Sequence, residues 1–180
     1  MNKIVAIVGM CGSGKSIASE YFEKMGYKKV YYGKITIEKV IEAGLEVNEK
    51  NERFVREKLR KDYGMGAYAI VNMPKVDEAI KTNGVVIDDL YSWDELKILR
   101  EKYGDLVVTL CIMADKNLRY ARLQTRDVRP LTLEEAKSRD VAEIENSAKG
   151  GPIAYADYFI LNNGTIDEYT KRLDEILKMI

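Results

Sequence analysis

Five short apolar runs punctuate the chain: Lys3–Val8, Lys29–Tyr32, Val85–Asp88, Leu106–Met113 and Tyr158–Leu161. Most lack strict polar alternation, so they predict strands covered on both faces. Charged stretches lie between them, with apolar residues at helical spacing: Lys15–Met25, Ser92–Tyr103, Lys116–Arg126, Leu133–Glu145 and Ile166–Met179. This strand, helix, strand order predicts an α/β protein on a parallel sheet with right-handed crossovers. Some helix ends carry a local signal. Thr132 and Glu135 are spaced as a capping box. Asp115 is placed to cap the helix after the fourth strand. Gly26 and Gly104 suit helix ends that turn back into strands.

One stretch breaks the rhythm. From Gly33 to Asn83 the pattern is mostly helical: Thr36–Glu42, Glu49–Asp62 and Ala67–Lys81, the last interrupted by Pro74. A plain crossover between strands needs far fewer residues. Residues 34–83 are therefore expected to form an inserted helical hairpin over one edge of the site. Residues 126–132, Arg-rich and containing Pro130, form a second and shorter insertion. No internal repeat or low-complexity linker divides the chain, so residues 1–180 read as one domain.

Composition narrows the function classes. Apolar residues make up 46%, as in a globular protein. No apolar run approaches the ~20 residues that span a bilayer, so no membrane partner is expected. Met1-Asn2-Lys3 leads straight into the first strand rather than into a signal peptide. Lys plus Arg balance Asp plus Glu at 29 each, which provides no field for gathering nucleic acid. Cys11 and Cys111 form neither a disulfide framework nor a zinc motif, and a reducing cytoplasm is the expected compartment. Histidine is absent, which excludes His bases, Ser-His-Asp triads and His-bound metals. Chemistry here must use carboxylates, Lys, Arg, hydroxyls, backbone amides or a bound ion.

One motif supplies that chemistry. Gly9-Met10-Cys11-Gly12-Ser13-Gly14-Lys15-Ser16 matches G-x-x-x-x-G-K-[ST], between an apolar strand and an amphipathic helix. Glycines let the backbone curl until successive N–H groups converge on phosphate oxygens. The helix that follows aims its dipole and free N–H groups at the same anion. Lys15 is expected on the β and γ phosphates and the Ser16 hydroxyl on Mg²⁺. Cys11 occupies a variable loop position, and Ile17 extends the nucleotide-contacting stretch.

Such a loop needs a carboxylate at the end of a neighbouring strand to hold the ion through water. Gly84-Val85-Val86-Ile87-Asp88-Asp89 supplies two. Asp88 is the first candidate for the metal. Asp89 is the second, or else faces the acceptor. Either aspartate could instead be a turn or helix cap. Arg119, Arg122, Arg126 and Arg129 follow, then Arg139, and the first three share one helical face. Phosphoryl transfer needs cations around the moving group, because charge spreads over its equatorial oxygens. The alternative for each arginine is a solvated helix face paired with Asp115, Asp127 and Glu134.

Together these stretches resemble the nucleotide and nucleoside kinases of the P-loop class, most of all dephospho-CoA kinase and its archaeal adenylate-kinase-like relatives. The residues that carry the resemblance are the phosphate loop, Val85-Val86-Ile87-Asp88, the run Arg119–Arg126, Arg139 with Glu143, and Ala156-Asp157-Tyr158-Phe159-Ile160-Leu161-Asn162-Asn163-Gly164. The resemblance implies a three-layer α/β/α fold with a five-stranded parallel sheet in the order 2-3-1-4-5, a helical acceptor-binding insertion and a short lid. It implies ATP and Mg²⁺, with Arg122 and Arg126 on the nucleotide and Asn162 and Gly164 near the adenine. It implies Lys15, Asp88 and Arg126 as catalytic residues, and γ-phosphate transfer to a small-molecule acceptor presented by the insertion. A monomer or homodimer is expected.

Two departures fall on the acceptor side. Lys34 stands where dephospho-CoA kinases and their archaeal relatives carry an acid after the second strand. Asp89 and Tyr91 stand where relatives show Gly and then Arg. Lys34 either holds a phosphate of the acceptor or is a solvated lysine. Arg56 and Arg60, at i and i+4, are further candidates for an acceptor anion, and Asp89, Arg129 and Arg139 complete the expected acceptor-binding set. The expected activity is a small-molecule kinase acting on a nucleoside monophosphate, a nucleoside or dephospho-CoA. The alternative is an ATP-binding switch with little turnover.

Overall fold

A computed structural model describes residues 2–127 and 130–180. Five strands form one sheet: β1 (Ile4–Val8), β2 (Lys28–Tyr31), β3 (Val85–Asp88), β4 (Val107–Met113) and β5 (Tyr158–Leu161). Their spatial order is β2-β3-β1-β4-β5 and every neighbouring pair is parallel. The described helices are α1 (Lys15–Lys24), α2 (Lys34–Glu42), α3 (Glu49–Tyr63), α4 (Ala67–Ala79), α5 (Trp93–Tyr103), α6 (Lys116–Thr125), α7 (Leu133–Ser147), α8 (Gly150–Ala154) and α9 (Ile166–Met179).

The sheet explains why its strands do not alternate. All five residues of β1 are buried. Ile4, Ala6 and Val8 enter a core with Ala69 and Val76 of α4 and Leu96 and Leu99 of α5. Val5 and Ile7 enter the opposite core, with Ala18 and Phe22 of α1 and Leu173 and Ile176 of α9. Each buried Val, Leu, Ile or Phe among them contributes about 1.5–3 kcal/mol. A helix cap contributes about 1 kcal/mol, so caps set where helices start while the two cores carry the stability. Capping boxes open α5 (Ser92, Glu95), α7 (Thr132, Glu135) and α9 (Thr165, Glu168). A third, smaller cluster of Cys11, Tyr120, Leu123 and Ala136 joins the phosphate loop to α6 and α7.

The strands and long helices fall within two residues of their expected bounds, and three local features differ. Asp115 occupies the cap position of α6, but its side chain makes no capping bond. Its backbone N–H instead donates to Asn163 Oδ1 at 2.9 Å, so the loop after β5 fixes the start of the helix. α4 runs straight through Pro74. Proline removes one helical N–H, and the burial of Tyr68, Ala69, Asn72 and Val76 on either side holds the helix together. The short α8 was not expected, because Gly150-Gly151-Pro152 has the composition of a loop.

Within residues 34–83, α2 packs on α3, while α4 lies against β2 and α5. Thus α4 is the crossover helix between β2 and β3, and the hairpin is α2 with α3. Among the described residues no helix is long and apolar enough to cross a membrane.

Candidate active site

The chain leaves β1 at Val8 and turns through the glycine loop into α1. Gly9 has φ +140°, and a Cβ there would collide with the Ile112 carbonyl of β4. Only glycine brings the loop this close to the sheet edge. Ser13 N–H donates to the Met10 carbonyl at 3.2 Å, which closes the turn. Asn162, at the end of β5, donates its side-chain amide to the Ser13 carbonyl at 2.9 Å. Asn162 thereby braces the loop from behind, and a Cβ on Gly14 would strike that amide.

The loop fits an anion on three counts. No side chain caps α1, so its first N–H groups are left for a ligand. The Ser13 hydroxyl is buried and makes no hydrogen bond. Nη1 of Arg122 is buried without a partner as well, while its Nη2 donates to the Asn162 carbonyl at 3.0 Å. Both are donors of the kind that a phosphate satisfies. Ser16 and Ile17 lie exposed on the first turn of α1. Lys15 is buried and donates to the Met10 carbonyl at 3.1 Å. Gly12 also lies in the loop, and a Cβ there would come within 2.8 Å of the Arg119 carbonyl oxygen.

Strand β3 ends beside β1 and delivers two aspartates to the same edge. Asp88 is buried on the α1 side, and its Oδ2 lies 3.2 Å from Nζ of Lys29 on β2. Burial pushes the Asp88 carboxyl above the ordinary carboxylate value, and Lys29 and the Ser19 hydroxyl partly offset that. Asp89 has φ +68°, a left-handed conformation that aspartate tolerates better than most residues. Its Oδ1 lies 3.6 Å from Lys15 Nζ and 3.3 Å from Lys149 Nζ. Burial alone would raise the Asp89 carboxyl, but Lys149 and Lys15 hold it below the usual carboxylate range.

Lys149 stands in the short joint between α7 and α8 with its side chain fully buried. Besides Asp89 it meets Glu143 Oε2 at 3.2 Å and lies 5.1 Å from the centre of the Tyr91 ring. Burial would lower its pKa, yet the two carboxylates raise it, so it stays a cation. Glu143 Oε1 accepts from Arg139 Nε at 3.2 Å. Charges of alternating sign therefore run from Lys15 through Asp89, Lys149 and Glu143 to Arg139.

The loop carrying Asp89 is tied down at its far end. Glu95 Oε2 accepts from the Tyr91 N–H at 2.8 Å and the Ser92 N–H at 3.4 Å. Ser92 donates its hydroxyl to the Met65 carbonyl at 2.7 Å. Burial pushes the Glu95 carboxyl up to about 8 despite those two N–H donors.

The arginines divide by role. Arg119 is buried and grips Asp140 with both Nη atoms, at 2.9 and 2.6 Å. It also donates to the Cys11 carbonyl at 2.9 Å, which fastens the phosphate loop to α7. Arg126 ends α6 in extended backbone. Arg129 lies outside the described residues, so the 126–132 segment is seen in part. Within it, Leu131 N–H donates to the Leu123 carbonyl at 2.9 Å. Arg60 reaches from α3 to Ser147 Oγ at 3.3 Å, close to the Lys149 joint. Arg56 lies 3.5 Å from Glu52. Lys34 is exposed and 3.7 Å from Glu38. Gly164 sits exposed in the turn before α9.

The structure thus brings together Lys15, Asp88, Asp89 and Arg139, with Arg60 at the border, and leaves Lys34 exposed beside Glu38. Lys149 and Lys29 were not anticipated. Lys149 is fully buried and Lys29 half-buried, each against carboxylates that other elements deliver, and nothing in their local sequence marks it.

Comparison with known proteins places this geometry. A family profile described as an AAA domain (AAA_18) matches residues 5–144. The UPF0200 protein TK1334 of Thermococcus kodakarensis is 35% identical over 185 residues, covering 98% of this chain and 100% of that protein. The UPF0200 protein of Thermococcus onnurineus is 33% identical over 181 residues, covering 98% and 97%. Among solved structures, TT1252 from Thermus thermophilus superposes with TM-score 0.69 at 19% identity, covering 99% of this chain and 98% of that one. Shikimate kinase from Bacteroides thetaiotaomicron superposes at 0.62 and 12% identity, covering 98% of each. The fold is that of the P-loop kinases.

Proposed function

The chain belongs to the UPF0200 family with an AAA-type P-loop core, and on that premise we propose that it is an ATP- and Mg²⁺-dependent kinase of a small, nucleotide-like acceptor. The observation that carries this reading is the meeting of Lys15 and Asp89 at 3.6 Å where β1 and β3 end, with Asp88 beside them. A nucleoside triphosphate supplies the phosphoryl group when bound. The loop amides, the Ser13 hydroxyl and Lys15 hold its β and γ phosphates. Ser16 and Asp88 hold Mg²⁺, and Arg122 adds its spare N–H. Arg126 or Arg129 neutralises charge on the transferring group. Arg60 and Arg139 border the acceptor space.

A coupled ADP-release assay over nucleoside monophosphates, nucleosides and dephospho-CoA tests this. Acceptor-stimulated turnover that requires Mg²⁺ is expected. Turnover no faster than hydrolysis with every acceptor would reject it.

One observation favours a second reading, a nucleotide switch of little turnover. Lys29 already neutralises Asp88 at 3.2 Å, and so competes with Mg²⁺ for that carboxylate. Under this reading ATP binds tightly, Lys29→Ala raises Mg²⁺ dependence and turnover together, and a partner is retained only in the ATP state.

A further inference from the structure

The phosphate loop is gripped from outside by its carbonyls. Nη1 of Arg119, on α6, donates to the Cys11 carbonyl at 2.9 Å. The side-chain amide of Asn162, just past β5, donates to the Ser13 carbonyl at 2.9 Å. The Tyr169 hydroxyl, on α9, donates to the Gly14 carbonyl at 3.1 Å. All three side chains are buried, and they come from three separate parts of the chain.

A trans peptide is planar, so its C=O and its N–H point in opposite directions. No cis bond occurs among the described residues. Holding the carbonyls of Cys11, Ser13 and Gly14 on the outer side therefore turns the N–H groups of Gly12, Gly14 and Lys15 to the inner side, where the loop curls. Among the described residues none of these three N–H groups donates to a backbone carbonyl. Two of the turned peptides run into a glycine with positive φ, +79° at Gly12 and +103° at Gly14, where most other residues would be strained.

The three grips differ in strength. Arg119 is a cation fixed by both Asp140 oxygens, at 2.9 and 2.6 Å, and the Tyr120 hydroxyl donates to Asp140 Oδ2 at 3.1 Å. A charged donor on a carbonyl polarises the peptide and strengthens the N–H at its other end. Asn162 is the sole grip named on the Ser13 carbonyl. The Gly14 carbonyl also accepts from the Ala18 N–H at 3.4 Å, so α1 shares that task with Tyr169.

We propose that Arg119 and Asn162 are positioning residues for the nucleotide triphosphate: by holding two carbonyls outward they aim the Gly12 and Gly14 N–H groups at its phosphates. Asp140 acts through Arg119. The inference rests on the nucleotide-binding part of the kinase reading above. It gives Asn162 a task on the triphosphate in place of the adenine contact that the family resemblance implies.

Inorganic tripolyphosphate and a non-hydrolysable ATP analogue test this by calorimetry, because the first has no base. Arg119→Lys keeps a cation for Asp140 but no fork that spans Asp140 and Cys11. Asn162→Ala removes the amide. Each is expected to weaken both ligands about tenfold, as the loss of one hydrogen bond would. Amide NMR assigns each loss to its peptide. In the wild-type protein the Gly12 and Gly14 N–H protons are expected to move downfield when tripolyphosphate binds. Arg119→Lys should diminish the Gly12 response and spare Gly14, and Asn162→Ala should do the converse, a pattern that general loosening of the fold does not produce. Gly12 and Gly14 protons that ignore tripolyphosphate in the wild type overturn the proposal, whether or not the variants fold. A loss confined to the ATP analogue in Asn162→Ala returns Asn162 to the adenine and overturns its part. Binding of both ligands that neither variant weakens rejects this inference alone. A wild-type protein that binds neither ligand rejects the kinase reading with it.

Discussion

Two regions meet at the Asp89 carboxylate and are held in place by different means. The phosphate loop is set by backbone: glycine conformations, a closing turn at 3.2 Å and the Asn162 brace at 2.9 Å. The wall opposite is set by charge: Lys149, Glu143 and Arg139 come from α7 and the joint after it, and Asp89 from the end of β3. A backbone cradle presents free donors and awaits an anion. A charge wall is already paired within itself and needs no anion to hold it in place. The pair of lysines on Asp89 expresses the contrast, because Lys15 serves the ligand and Lys149 serves the fold.

Exchanging each lysine for methionine should separate the two roles. Lys149→Met leaves Asp89 with Lys15 and Glu143 with Arg139 but removes the buried cation between the two carboxylates, and breaking a buried ion pair costs about 3–5 kcal/mol. Chemical denaturation should show that loss while the folded variant keeps ATP affinity within threefold. Lys15→Met should do the reverse. ATP affinity or turnover should drop about 100-fold or more, with stability changed by no more than about 1 kcal/mol. If both variants lose stability equally, the division between a ligand lysine and a fold lysine is wrong.

A second test asks whether the wall responds to pH. Glu95 fixes the backbone of Tyr91 and Ser92, and burial raises its carboxyl from 4.5 to about 8. Arg60 and Asp89 act on it from α3 and from the loop itself, in opposite senses. The folded protein therefore holds a proton that the unfolded chain releases. That stabilisation is complete below pH 4.5 and is lost as pH rises through about 8. The loss runs at about 1.4 kcal/mol per pH unit within the window, a few kcal/mol in all. Glu95→Gln keeps the acceptor oxygen and removes the titration. Its denaturation midpoint should stay flatter between pH 5 and 8, and at pH 9 it should exceed that of the wild type. A wild-type protein equally stable at pH 5 and pH 9 would show that the capping carboxylate is not protonated in the fold.

The same division explains what was legible in the sequence. The strands, the phosphate loop and Asp88 follow from patterns a few residues long: apolar runs, glycine spacing and an acid at a strand end, whereas the sheet order was implied by the family resemblance. The kinase-like frame followed from their order along the chain. Lys149 had no such signature. It lies in Ala148-Lys149-Gly150-Gly151, a loop-like sequence, and becomes a core cation because Asp89 and Glu143 arrive from 60 and 6 residues away. Lys29 was hidden likewise, since its meaning depends on Asp88 in the neighbouring strand. Lys34 was conspicuous in sequence because it replaces an expected acid, yet it folds into an exposed pair with Glu38. Asp89 was visible as a departure, and its surroundings give that departure a chemical sense.

The smallest expected effect probes the cradle itself. The Ser13 hydroxyl is buried and makes no hydrogen bond, and an unsatisfied buried donor costs about 1–3 kcal/mol. Ser13→Ala removes that burden, so the nucleotide-free protein should gain on the order of 1 kcal/mol in denaturation. The same change should weaken ATP by about three- to tenfold, as the loss of one ordinary hydrogen bond of about 0.5–1.5 kcal/mol would. Opposite signs are the point of the experiment. A residue kept for the fold loses stability when truncated, whereas a residue kept for an absent anion gives stability back and loses affinity. If Ser13→Ala lowers stability and leaves ATP affinity unchanged, the hydroxyl belongs to the fold, and the contrast between cradle and wall weakens where it was drawn most sharply.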